Sequence, residues 1–130
     1  MKKQLGLVLA VLLAMAGLGG AAFAQPKATD ATVVNGDVHK VVLENEHVRV
    51  FSALAAPGTK SPMHTHPPRV LVSLSTARVK LTLPDGTTSI LDVRPGQVMW
   101  VDSSEHSWEL LSGEIDVVGI EVKSAASANK

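Results

Sequence analysis

Two histidines stand two residues apart in Pro57-Gly58-Thr59-Lys60-Ser61-Pro62-Met63-His64-Thr65-His66-Pro67-Pro68. Side chains of a β-strand alternate between its faces, so His64 and His66 point the same way. Their Cα atoms are then about 6.5 Å apart, at a rise of roughly 3.3 Å per residue. Two imidazoles so placed can converge on one ion, with metal–nitrogen bonds of about 2.0–2.1 Å. A third histidine, His106, lies in Glu105-His106-Ser107-Trp108-Glu109-Leu110. Alternation groups His106 with Trp108 and Leu110, an apolar company that suggests an inward face. Glu105 and Glu109 take the other face and read as solvated. Three histidines converging inside a β-barrel make an N₃ site, and neutral imidazole suits Zn, Cu, Fe and Ni. Three protein ligands leave positions open for water or substrate, the catalytic rather than the structural pattern.

Plainer readings stand beside these. His64 and His66 can be polar residues of a surface loop, and a lone strand histidine such as His106 is more often a hydrogen-bonded core residue. His39 and His47 fall on early strands with no matched partner and read as structural, with His47 a minor candidate for a substitute ligand. Trp100 and Trp108 read as core, Trp108 doubling as a platform for a bound molecule.

The elements that must position these residues are all β. Val38–Leu43 and His47–Leu54 read as strands, the second with Val48, Val50 and Ser52 on one face. Pro57-Gly58 turns the chain into the histidine segment, which Pro62 and Pro67-Pro68 keep from being a long central strand. Val70–Ser75 is apolar and β-branched, and Arg78–Leu83 alternates polar with apolar. Pro84-Asp85-Gly86-Thr87 is a hairpin turn with glycine available for a positive φ, and Thr88–Val93 returns. After the Pro95-Gly96 turn come Val98–Val101, an Asp102-Ser103-Ser104 loop, Glu105–Leu110, a Ser112-Gly113 turn and Ile115–Lys123. Eight or nine short strands with turns every 8–12 residues are the signature of a sandwich or barrel. A dinucleotide fingerprint, a phosphate loop, a serine elbow and internal repeats are absent.

The sequence has 130 residues and no cysteine, so disulfides and thiolate metal sites are excluded, and a metal must be held by histidine or carboxylate. Residues 1–24 read as a cleaved signal peptide. Lys2 and Lys3 form the positive region, Leu5 to Leu18 the apolar one, and Ala22-Phe23-Ala24 the cleavage box. The apolar run is short and broken by Gly17, Gly19 and Gly20, unlike a spanning helix of about 20 apolar residues. A periplasmic or secreted protein follows as the expectation. Without Lys2 and Lys3, ten basic residues face twelve acidic ones. That balance carries no footprint for nucleic acid or an anionic membrane. Residues 25–37 read as a loose N-terminal arm, 38–123 as a single β domain, and 124–130 as a disordered tail.

Pro57-Gly58 with His64-Thr65-His66, then Pro95-Gly96-Gln97-Val98-Met99-Trp100-Val101 leading to His106, resembles the two motifs of the cupin superfamily. The likeness is greatest to small, exported, single-domain cupin-like proteins, and it covers roughly Glu44 to Lys123. It implies an all-β, single-domain, cupin-like jelly-roll β-barrel, with a homodimer as an expectation. It also implies a divalent transition metal (Fe, Zn, Mn, Ni or Cu) held by His64, His66 and His106, and a small-molecule ligand. Two departures stand out. The family's glutamate falls three or four residues after the second histidine, where this chain has Arg69, Val70 and Leu71. The stretch from Gly96 to His106 is also about one residue short, with Asp102-Ser103-Ser104-Glu105 as its loop. The resemblance then implies a three-histidine centre, as in some oxygenases of the superfamily, or a weakened site. Arg69 is either a solvated residue at a strand start or the anchor for an anionic carboxylate.

Overall fold

The computed structural model describes residues 29–124. The elements are α1 (Ala31–Val34), β1 (His39–Glu44), β2 (Val48–Ala55), β3 (Lys60–His66), β4 (Arg69–Ser73), β5 (Ala77–Thr82), β6 (Thr88–Val93), β7 (Val98–Val101), β8 (Ser104–Gly113) and β9 (Ile115–Val122). The strands form two antiparallel sheets, one in the order β1-β2-β9-β4-β7 and one in the order β3-β8-β5-β6. Their inner faces pack together, but hydrogen bonding does not close them into a barrel. The expected cupin-like jelly roll is therefore present as two facing sheets.

Strict alternation buries one face of each strand. In β8, Trp108 and Leu110 are buried, and in β5 Ala77 and Val79 are. These residues and Val93 form the core cluster, against which Met99 and Ile115 of the other sheet pack. Burying a side chain as large as Leu110 contributes about 1.5–3 kcal/mol. The buried face of β2 is Arg49, Phe51 and Ala53, while Val48, Val50 and Ser52 are only half-buried. β-Branched residues suit either face of a sheet, so their alternation alone does not say which side is the interior.

As expected, the histidine segment is an edge strand, where Pro62 has no ladder hydrogen bond to forfeit. The β3–β8 register shifts between Ser61 and His64, which brings both side chains to the buried face three residues apart. The turns fall at Gly58, Gly86, Gly96 and Gly113, all with positive φ. Gly113 is doubly constrained, because a Cβ there would lie 2.1 Å from the Thr76 carbonyl oxygen.

Residues 29–37 are not a loose arm. Asp30 caps α1, accepting from the Thr32 backbone N–H at 2.9 Å. The Thr65 N–H donates to the Thr29 carbonyl at 2.7 Å, and Asn35 Nδ2 donates to Ser61 Oγ at 2.7 Å. A helix of one turn has no period to read, so only its tertiary partners reveal it. The signal segment 1–24 and most of the tail lie outside the described residues.

Candidate metal centre

Register brings the histidines together. His64 is the cross-strand partner of His106, and their ring centroids lie 4.8 Å apart. Alternation sets His66 beside His64, at 4.9 Å between centroids. His39 arrives from the facing sheet, where its pairing with Ala53 turns it inward beside Phe51. Its ring lies 5.3 Å from that of His64 and 5.4 Å from that of His66. His39, His64 and His66 each offer a nitrogen, and the three lie within 4.8 Å of one another. His106 adjoins the same group, 5.4 Å from the His66 ring.

One tautomer is decided by its neighbour. His64 Nδ1 is 2.7 Å from the Pro62 carbonyl oxygen, which can only accept, so Nδ1 carries the proton. His64 Nε2 is thus a bare lone pair, buried and without a partner. Buried His39 Nδ1 and His66 Nδ1 also lack partners. All four imidazoles are held neutral. Burial pushes His39 down to about 3, with His66 and His64 adding to the effect. It pushes His66 down to about 2, aided by Arg69, and His106 to about 3, aided by His64 and His66. His64 is lowered by the same cause. Neutral imidazole is the form that ligates metal.

Charged residues lie beside the rings. Glu121 is 1 % exposed and is the register partner of Arg49 on one side and Arg69 on the other. Its Oε2 accepts from Arg49 Nε, and Arg49 Nη2 reaches Asp30 Oδ2 at 2.6 Å. Burial opposes ionisation of Asp30, but hydrogen bonds from Arg49 and Thr32 outweigh it and hold the carboxyl below its usual range. Glu121 Oε1 has no hydrogen bond and sits 3.6 Å from His66 Nδ1. Arg69 is 2 % exposed, which removes the solvated strand-start reading. Its Nη1 donates to Ser104 Oγ at 3.1 Å and to the Pro67 carbonyl at 3.3 Å, while Nε has no partner. Burial lowers its pKa to about 10, partly offset by Glu121, so it remains a cation at neutral pH.

These groups open on a cavity of about 600 Å³ between the sheets. His39, His66, His106, Arg69, Ser73 and Ser104 form its polar part, and aliphatic residues such as Leu71, Leu81, Leu91, Val93 and Val117 line the remainder. Trp108 and Trp100 line it too; Trp108 is buried, whereas Trp100 is 57 % exposed and is not core. His47 is exposed beside Glu46, away from the centre.

The structure thus brings His64, His66 and His106 together, with His66, His106, Arg69 and Trp108 lining one chamber. His39 belongs there as well, contrary to the expectation that it has no matched partner. Arg49, Glu121 and Asp30 were not singled out as site residues either. Arg49 carried a signal, because it alternates with Phe51 and Ala53. In β9, Gly119 and Glu121 share a face, and a methyl on Gly119 would lie 2.1 Å from the Phe51 ring. That ring in turn stacks on His66 at 5.6 Å.

Comparison with solved structures finds the same architecture. A cupin domain from Bordetella pertussis superposes with a TM-score of 0.60 at 25% identity, covering 67% of this chain and 93% of that one. A cupin family protein with a double-stranded β-helix fold from Methanocaldococcus jannaschii gives 0.53 at 16% identity, over 65% and 78% of the two chains. A conserved Streptococcus pyogenes protein of unknown function gives 0.50 at 16% identity, over 68% and 75%. No family model and no curated protein matches the sequence.

Proposed function

We propose that this chain, a member of the cupin superfamily, binds a divalent transition metal through buried histidines and receives a small molecule in the adjoining cavity. The observation that carries the proposal is the group of three imidazole nitrogens within 4.8 Å, drawn from two sheets, with the His64 lone pair buried and unpartnered. An unsatisfied buried acceptor costs about 1–3 kcal/mol, and a metal ion would satisfy several at once. His39, His64 and His66 would hold the ion, with His106 against the same rings as a further donor. An all-imidazole donor set favours Zn, Cu, Fe or Ni over Mn.

A redox-active ion held by these histidines would supply oxygenase-type chemistry to a small molecule. The chain's own part is to fix the His64 tautomer through Pro62, exclude bulk water and orient that molecule against aliphatic walls. A second reading, binding without catalysis, is favoured by the cavity lining. Among the described residues no Asp, Glu, Lys or Tyr lines it, and its imidazoles are held neutral, so no carboxyl or imidazolium acid faces the bound molecule. The proposal includes export, supported by the Ala22-Phe23-Ala24 box.

Metal analysis of protein isolated from its native compartment, with its intact mass, tests the proposal. About one equivalent of metal is expected in the wild type, and a mass starting at Gln25. His64→Ala should lose most of the metal while retaining its circular dichroism. His39→Ala and His106→Ala then rank the third ligand. A folded wild type that takes up no Zn, Cu, Fe or Ni after reconstitution would end the metal reading, and an oxygen-uptake screen on the loaded protein separates oxygenase from binder.

A further inference from the structure

The aliphatic cavity carries one buried cation. Arg69 lines it, and the only hydrogen bonds its side chain makes among the described residues leave from Nη1. Its Nε is buried with no partner. The Nε and Nη2 pair is the edge with which a guanidinium grips a carboxylate through two parallel bonds. Among the described residues no carboxylate takes that edge: Glu121, paired with Arg69 across the β4–β9 ladder, gives its Oε2 to Arg49, and its Oε1 makes no hydrogen bond.

The charge count limits the partner. Within the buried group, Asp30 and Glu121 already offset Arg49 and Arg69, so a bound anion adds net negative charge and is admitted only singly, where it meets the unengaged guanidinium edge. A doubly charged phosphate would overload a chamber with one unengaged guanidinium edge, no lysine and mostly aliphatic walls. A dicarboxylate would push its second charge against Leu81, Leu91 and Val93. A monocarboxylate with an apolar body satisfies both halves, and about 600 Å³ falls in the usual range for small-molecule pockets.

We infer that the cavity ligand is an apolar-tailed monocarboxylate, its head gripped by Arg69 and its tail against the aliphatic walls. The inference rests on the small-molecule part of the function proposed above and needs no metal. Arg69 sets the head-group specificity, and the β5, β6 and β7 side chains set the length of tail admitted.

Isothermal titration of chelator-treated, metal-free protein with decanoate, decanol, acetate and inorganic phosphate tests this. Decanoate should bind at least tenfold more tightly than decanol, and acetate and phosphate should not bind measurably. Arg69→Gln should weaken decanoate at least tenfold and leave decanol unchanged. Arg69→Lys should recover only part of the loss, because an ammonium lacks the fork. Equal binding of decanoate and decanol to the wild type overturns the inference, even if the variants fail to fold. Acetate binding as tightly as decanoate would also overturn it, since the apolar body would then count for nothing. The same titration on cobalt-loaded protein, read through the cobalt spectrum, reports metal occupancy separately. Failure of the metal reading and failure of the carboxylate inference are therefore distinguishable.

Discussion

The two sheets furnish the chamber with different kinds of side chain. The four-stranded sheet sends in His64, His66, His106 and Trp108, all uncharged. The five-stranded sheet sends in one histidine, His39, and one end of a row of charges across three neighbouring strands, Arg49 on β2, Glu121 on β9 and Arg69 on β4, of which Arg69 lines the chamber. An imidazole can answer burial by staying neutral, and its depressed pKa is that answer. A guanidinium at working pH cannot, so each must be balanced by an anion or a bound ligand. The imidazole side is therefore free to accept a metal, while the charged side must stay electrically closed whether or not one is bound.

The largest effect of a single substitution should come from opening that closed row. Glu121→Gln leaves Arg49 with Asp30 alone and removes the carboxylate that partly offsets the burial of Arg69. Breaking a buried pair from one side costs about 3–5 kcal/mol. For a domain of this size that is a fall in Tm of at least about 12 °C. Thermal unfolding of the metal-free protein measures it. A loss below about 1 kcal/mol would show that the charged row does not depend on Glu121, and the contrast between the sheets would fail.

The same contrast explains what could be read from the sequence. The imidazole side was legible because its signals are local. His64 and His66 are two residues apart, and His106 shares a strand face with Trp108 and Leu110. The strands themselves were legible from alternation and from turns at Gly58, Gly86, Gly96 and Gly113. The charged side was not, because its partners are 72 residues apart for Arg49 and Glu121 and 19 for Arg49 and Asp30. No local pattern says that a carboxylate on β9 will stand beside the position where the cupin motif has its own glutamate. His39 was missed for the same reason, as it meets the other histidines only once the sheets face each other. Arg69 was legible as a departure from a motif, but its burial was not.

Residue for residue, a middle-sized effect belongs to the imidazole side and appears as a pH dependence. In metal-free protein, the folded values of His39 and His106 lie near 3 and that of His66 near 2, below the ordinary 6.5. As pH falls through 6.5 the unfolded chain takes up protons first. Stability is thus full above about 6.5 and declines toward about 3, by up to about 1.4 kcal/mol per pH unit for each histidine. Urea unfolding at pH 7, 6 and 5 should show this slope, and His106→Gln should lower it by about one proton. Zinc at saturation should raise stability most at pH 7. Equal stability at pH 7 and pH 5 would mean that the imidazoles are not buried as neutral groups.

The smallest effect lies at the tip of the β5–β6 hairpin, whose turn residues Asp85, Gly86 and Thr87 do not line the chamber. Gly86 has a φ of +86°, and a Cβ built on it meets nothing within 4 Å. Asp85 Oδ1 accepts from the Thr87 N–H at 2.8 Å, so the turn is held by its own side chain. Gly86→Ala therefore carries a backbone cost and no packing cost, about 1 kcal/mol. The contrast within the chain is Gly119, where an added methyl would strike Phe51 and, through it, the His66 ring. Urea unfolding and metal content of Gly86→Ala should show the small loss of stability and unchanged metal binding. A loss beyond about 3 kcal/mol, or a loss of metal, would couple the hairpin tip to the chamber and blur the division of labour between the two sheets.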